Sequence, residues 1–137
     1  MIETISAPGE EELAAILAPL AAHNDAATGA TERHKLALVI RDHAGAIAGG
    51  LWAEVGYRWL FVKYLALPPE ARGRGLGRAL MRGAEEEALR LGCIGVWLDT
   101  FSFQARGFYE KLGYGVFGRI DDFPPGEARF FLSKRIG

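Results

Sequence analysis

Seven consecutive residues carry the densest chemical signal in the chain: Arg72-Gly73-Arg74-Gly75-Leu76-Gly77-Arg78. Four glycines and four arginines fall within positions 72–83, between an apolar run and a long helical pattern. A helix that needed only a start would use a Ser, Thr or Asp cap. Glycines instead let the backbone approach a ligand closely and take up positive φ, and a helix N-terminus adds partial positive charge. The pattern therefore predicts an anion cradle of backbone N–H groups, with arginines neutralising what the amides hold. A pyrophosphate fits that chemistry.

The elements that must position this loop follow from the apolar periodicity. Residues 2–6 alternate and predict a short strand; 8–23 predict a helix with Leu13, Ile16, Leu17 and Leu20 on one face, started by Glu10–Glu12. Residues 23–35 are small and polar and read as a loop or a frayed second helix. Strands are expected at 36–42, at 46–57 with a bulge at Gly49-Gly50, and at 58–68, the last buried on both faces. The helix after the glycine loop presents Leu76, Leu80, Ala84, Ala88 and Leu91 inward and stops at Gly92. A buried strand at 93–101 follows, then a short helix from Ser102 to Gly113 with Ala105, Phe108, Tyr109 and Leu112 on its apolar face. Strands at 114–120 and 128–136 close the order around the turn-rich 121–127. The whole is read as one mixed α/β domain over residues 1–137.

Two familiar phosphate loops compete for this stretch. A P-loop closes on Gly-Lys-Ser/Thr, whereas Gly77 is followed by Arg78-Ala79. A dinucleotide fingerprint needs G-x-G-x-x-G; residues 73–77 give G-x-G-x-G, and Asp99 about twenty residues on keeps that alternative weakly open.

Arg72-Gly73-Arg74-Gly75-Leu76-Gly77 resembles the R/Q-x-x-G-x-G/A motif of the GNAT family of N-acetyltransferases, and "ARGFYEKLGY" (105–114) resembles its second signature. The spacing of the two and the element order extend the resemblance over nearly the whole chain. It implies a GNAT fold: a mixed, mostly antiparallel sheet of six to seven strands, splayed at its middle and flanked by three to four helices. It implies acetyl-CoA as co-substrate, its pyrophosphate on amides of Arg72–Arg78, its pantetheine arm along Leu65-Ala66-Leu67, and Phe108 beside it. It further implies direct attack of a neutral primary amine on the thioester, with Tyr109 protonating the departing thiolate. The same tyrosine completes an apolar helical stripe, so a packing role stays open beside the acid role. For the base, Glu54 and Asp99 are candidates, as is water alone. The family commonly has an Asn on the cofactor seven residues before the tyrosine; Ser102 stands there, as a cofactor contact or a helix cap. A non-catalytic acyl-CoA-binding domain on the same fold is the alternative function.

The totals fit this reading. The net charge of −1 argues against nucleic-acid or membrane-surface binding. The N-terminus lacks a basic signal-peptide region and one cysteine, Cys93, forms no internal disulfide, so a cytoplasmic protein is expected. His23, His34 and His43 lack metal-ligand spacing, and no metal is expected. The acceptor, a small-molecule or protein amine, is left open. Its selectivity is expected from residues 23–35 and 121–127, with Asp25, Asp121 and Asp122 as attractors of a cation, and with Trp52, Tyr57 and Trp59 as candidate pocket or dimer residues. Homodimers are frequent in the family, so a homodimer is a further open expectation.

Overall fold

The computed structural model describes residues Met1–Gly137 as two compact units, Met1–Thr31 and Glu32–Gly137. The first is built on helix α1 (Glu10–Thr28), whose first turn carries Glu10, Glu11 and Glu12 against the helix dipole. Residues 2–6 form no strand here, contrary to the alternation read from sequence. Five alternating residues are too few to form a strand without a partner edge. The helix also runs on through Asn24–Thr28, the start of a stretch read as a loop or a frayed second helix; the alanines there favour continuing the helix over the turn signals beside them. No helix of the chain is long and apolar enough to cross a membrane.

The second unit is a six-stranded sheet in the order β1-β2-β3-β4-β6-β5. The strands are β1 (His34–Arg41), β2 (Ile47–Gly56), β3 (Trp59–Ala66), β4 (Gly95–Phe101), β5 (Gly115–Asp121) and β6 (Ala128–Arg135). Helix α2 (Leu76–Arg90) links β3 to β4, and α3 (Arg106–Lys111) links β4 to β5. Every neighbouring pair is antiparallel except β3 and β4, which the helical crossover makes parallel. This is the mixed α/β architecture expected, with six strands and three helices.

Alternate residues of the central strands supply the core: Leu51, Ala53 and Val55 from β2, Leu60 and Val62 from β3, Val96 and Leu98 from β4, Leu132 from β6. Against them α2 turns Gly77, Leu80, Met81, Ala84 and Ala88, a 3.6-residue stripe that adds Gly77 and Met81 to the expected one, whose end residues Leu76 and Leu91 are only half-buried. β3 is buried on one face only, with Lys63 and Tyr64 exposed, so the fully buried strand read from its apolar run is corrected. Its large aromatics fill partly covered positions: Phe61 stacks on Trp97 across the parallel pair at 4.1 Å between centroids. Gly92, at φ +78, ends α2 as expected, its neighbour Cys93 donating to the Ala88 carbonyl. At Gly50 a Cβ would collide with the Leu38 carbonyl, so only glycine lets β1 pair there.

Candidate functional site

The site begins where two strands part. β3 and β4 pair only from Trp59 opposite Gly95 to Val62 opposite Leu98. Beyond that, β3 stays with β2, pairing Tyr64 to Trp52 and Ala66 to Gly50, while β4 stays with β6 as far as Phe101 opposite Arg129. A bulge sets the divergence: Ala53 opposes Val62 and Trp52 opposes Tyr64, leaving Lys63 as the extra residue. Such an insertion bends its strand and re-aims the residues after it. The edge of β3 facing the gap is therefore free of a strand partner over Leu65–Leu67.

The chain leaves β3 through Pro68 and a 3₁₀ turn, Pro69–Ala71, and enters the glycine loop. Gly73 and Gly75 take φ of +74 and +77, and Gly75 is the N-cap of α2 in left-handed conformation. No side chain caps this helix. Ala79 is the first residue of α2 whose amide reaches a backbone carbonyl, that of Gly75 at 3.0 Å. The six amides from Gly73 to Arg78 have no backbone acceptor, and three of them begin the helix. Arg72, Arg74 and Arg78 form no ion pair with a carboxylate. Unpaired donors, a helix dipole and uncommitted cations together make an anion site. Gly77 serves a different purpose: its missing side chain admits the Phe108 ring, which a Cβ would meet at 3.3 Å, and Leu67 at 3.5 Å. It lets the start of α2, the end of β3 and α3 converge.

Loop and gap open into one cavity of about 770 Å³. Ten of the twelve residues expected to hold the cofactor line it: Leu65, Ala66, Leu67, Arg72, Gly73, Gly75, Leu76, Gly77, Arg78 and Phe108. Asp99 and Tyr109 share the same wall. Arg74 is not part of the lining, and neither is Ser102.

Tyr109 lies on α3, 8% exposed, with Phe108 edge-on at 5.1 Å and Tyr114 at 6.3 Å. Burial, and then the charge of Asp99, push its phenol up to about 12, so it holds its proton throughout the neutral range. Asp99 is gripped by Arg129, whose Nε donates to Oδ1 at 3.1 Å while Nη2 lies 2.8 Å from Oδ2. Glu54 lies elsewhere. It borders a separate cavity of about 540 Å³ with Tyr57, Trp59, Phe61 and Trp97, and its carboxylate is 3.6 Å from Lys63 Nζ. Of the two carboxylates considered as base, only Asp99 shares the cavity of Tyr109.

Ser102 is occupied structurally. Its hydroxyl donates to the Glu127 carboxylate and accepts from the Ala128 amide at 3.0 Å, tying the end of β4 to the β5–β6 turn. It does not cap α3, which begins only at Arg106 after Ala105; residues 102–105 form a turn rather than the first helical turn expected. That turn and the end of β4 before it supply residues missed from sequence. Thr100, Phe103, Gln104 and Ala105 all line the cavity. Gln104 folds back so that its Oε1 accepts from the Phe101 amide at 2.9 Å and the Thr100 hydroxyl at 3.2 Å. A polar pair flanking two phenylalanines at a strand end was the available signal. Asp121 and Asp122 are engaged in their own turn, with Arg119 at 2.6 Å and the Gly126 amide at 3.2 Å.

Comparison with known proteins agrees with this geometry. Residues 7–114 match the sequence model of the acetyltransferase (GNAT) family. The chain is 35% identical over 122 residues to acetyltransferase Atu2258 of Agrobacterium fabrum, covering 89% of each. It is 43% identical over 93 residues to the blasticidin-S acetyltransferase of Streptomyces morookaense, covering 67% of this chain and 68% of that protein. A crystal structure from Agrobacterium tumefaciens superposes with a TM-score of 0.90 at 33% identity over 98% of both chains.

Proposed function

The chain belongs to the acetyltransferase (GNAT) family, whose members move an acetyl group from acetyl-CoA, and from that premise we propose how residues 1–137, acting as one domain, carry out the transfer to a primary amine. The observation that carries the reading is the shared cavity: five of the six residues with unpaired amides, all of Gly73–Arg78 but Arg74, line the same space as Tyr109 with its protonated phenol, at the parting of β3 and β4.

The fit of acetyl-CoA rests on this chain's own groups. The amides and the guanidinium groups of Arg72 and Arg78 would hold the pyrophosphate. The unpartnered β3 edge at Leu65–Leu67 would pair with the amide-bearing pantetheine arm as an added strand does. An amide of that edge would also polarise the thioester carbonyl. Bound there, acetyl-CoA supplies the activated acyl group. The acceptor must present a neutral nitrogen, because an ammonium has no lone pair, so it gives its proton to solvent or to a carboxylate before attack. As the carbon–sulfur bond breaks, Tyr109 Oη–H protonates the sulfur; the attacking nitrogen sheds its surplus proton to solvent as it becomes an amide, and a proton from solvent restores the phenol. The acceptor class follows from the relative named for blasticidin-S: a small molecule bearing an amine.

The test is release of free thiol from acetyl-CoA over a panel of amines, run beside acetyl-CoA binding. Turnover with at least one amine supports the proposal. Binding of acetyl-CoA without thiol release over the whole panel overturns transfer and leaves a domain that only holds the cofactor.

A further inference from the structure

Arg129 was not singled out by the sequence, yet it is the most elaborately held side chain near the cavity. Its guanidinium lies over three rings, Phe123 at 4.9 Å, Phe131 at 5.3 Å and Phe101 at 5.6 Å from their centroids. Phe101 in turn stacks on Phe103, a cavity-lining residue, at 5.2 Å. Planar guanidinium over aromatic faces is a favourable and orienting contact. From that seat the fork reaches both oxygens of Asp99, whose side chain is 17% exposed against 27% for Arg129.

We infer that Asp99 is the anchor for the protonated amine of the acceptor, and that Arg129 is a positioning residue that holds this carboxylate aimed into the cavity. The assignment deepens the proposed transfer to an amine and rests on it. The two-pronged contact takes up one lone-pair direction on each oxygen of Asp99 and leaves each a second, available to an ammonium donor. Phe103, exposed and lining the same cavity, offers an apolar ring to whatever carries the nitrogen. The acceptor so recognised is a cationic amine borne next to an apolar or planar group, drawn to Asp99 as ammonium and deprotonated to solvent before attack.

The experiment compares wild type with Asp99→Asn, Arg129→Met and Arg129→Lys in two measurements. In calorimetric titration with benzylammonium chloride, the Asp99→Asn and Arg129→Met proteins should lose at least tenfold in affinity, with Arg129→Lys, which keeps charge but not the fork, in between. Acetyl-CoA affinity should stay within threefold in all of them, which also shows that the variants fold. In steady-state turnover the amine KM should rise by the same factor while kcat changes less than threefold. Equal benzylammonium affinity in wild type and Asp99→Asn, no binding by wild type, or a fall in kcat at unchanged amine KM overturns the assignment. The titration reads the anchor even where no amine in the panel is acetylated, so its failure is distinct from failure of the transfer reaction.

Discussion

Replacing Tyr109 with Phe removes one oxygen and retains the ring that packs against Phe108 and Tyr114. Because the side chain is only 8% exposed, the ring supplies nearly all of its packing, and loss of the hydroxyl should cost stability no more than about 1 kcal/mol. Its effect on turnover should be far larger. A positioned general acid contributes about 10²–10⁴-fold, so kcat should fall by about 10²-fold or more, roughly 2.7 kcal/mol of barrier, with the KM for acetyl-CoA unchanged. The pH dependence gives a second handle. The phenol is raised to about 12, first by burial and then by Asp99, so its proton stays on in the folded protein well past the pH at which a free tyrosine ionises. Stability from this raised value is complete below pH about 10 and is lost as the pH climbs through about 12; at pH 11 the loss is about 1 kcal/mol. Tyr109→Phe cannot ionise and should escape that loss, so thermal melts at pH 8 and pH 11 should converge for the variant relative to wild type. Wild-type kcat should likewise show no descending limb from this group below pH about 11. Turnover of Tyr109→Phe within threefold of wild type, with the fold intact, would refute the acid role and leave a packing residue.

Three further outcomes follow from the same geometry. Gly75→Ala meets no steric neighbour, so its cost is the left-handed φ alone, about 1 kcal/mol by thermal unfolding; by twisting the amides away it should raise the acetyl-CoA KM several-fold, read by steady-state kinetics. Ser102→Ala should leave the acetyl-CoA KM within twofold, since the hydroxyl serves Glu127 and Ala128, while lowering stability by about 1 kcal/mol. Glu85 accepts from the Tyr114 hydroxyl at 2.8 Å and from Lys134 Nζ at 2.9 Å, so Glu85→Ala strands two donors and should cost about 2 kcal/mol in denaturant unfolding, with kcat unaltered.

How much of this was legible in advance depends on how local the signal is. The glycine loop could be read because positive φ at Gly73 and Gly75 leaves a direct mark on residue choice, and the α2 stripe because burial against the sheet repeats every turn. Tyr109 and Asp99 came from the resemblance; that they share a wall depends on a crossover and a bulge that no single segment encodes. Residues 102–105 misled for a related reason. Ser102 has the chemistry of a cap, but Glu127, 25 positions away, competes for its hydroxyl and wins, and the helix starts later. Arg129 was invisible altogether, since an arginine among strand phenylalanines reads as an exposed edge until Phe101 and Phe123 arrive from elsewhere in the chain. The terminal segment 2–6 showed the opposite failure: alternation was present and no neighbouring strand claimed it.

On the proposed reading the donor is gripped largely by peptide nitrogen, and that has a consequence for how such a molecule can diversify. Most substitutions along 72–78 would recolour the rim and leave the nitrogens where they are, provided Gly73, Gly75 and Gly77 persist. The wall at 99–105 instead presents the side chains of Asp99, Thr100, Phe103 and Gln104, where each exchange changes what the cavity offers. One half of the cleft is thus buffered against drift and the other exposed to it, a division that suits a scaffold that keeps one reagent and changes the other.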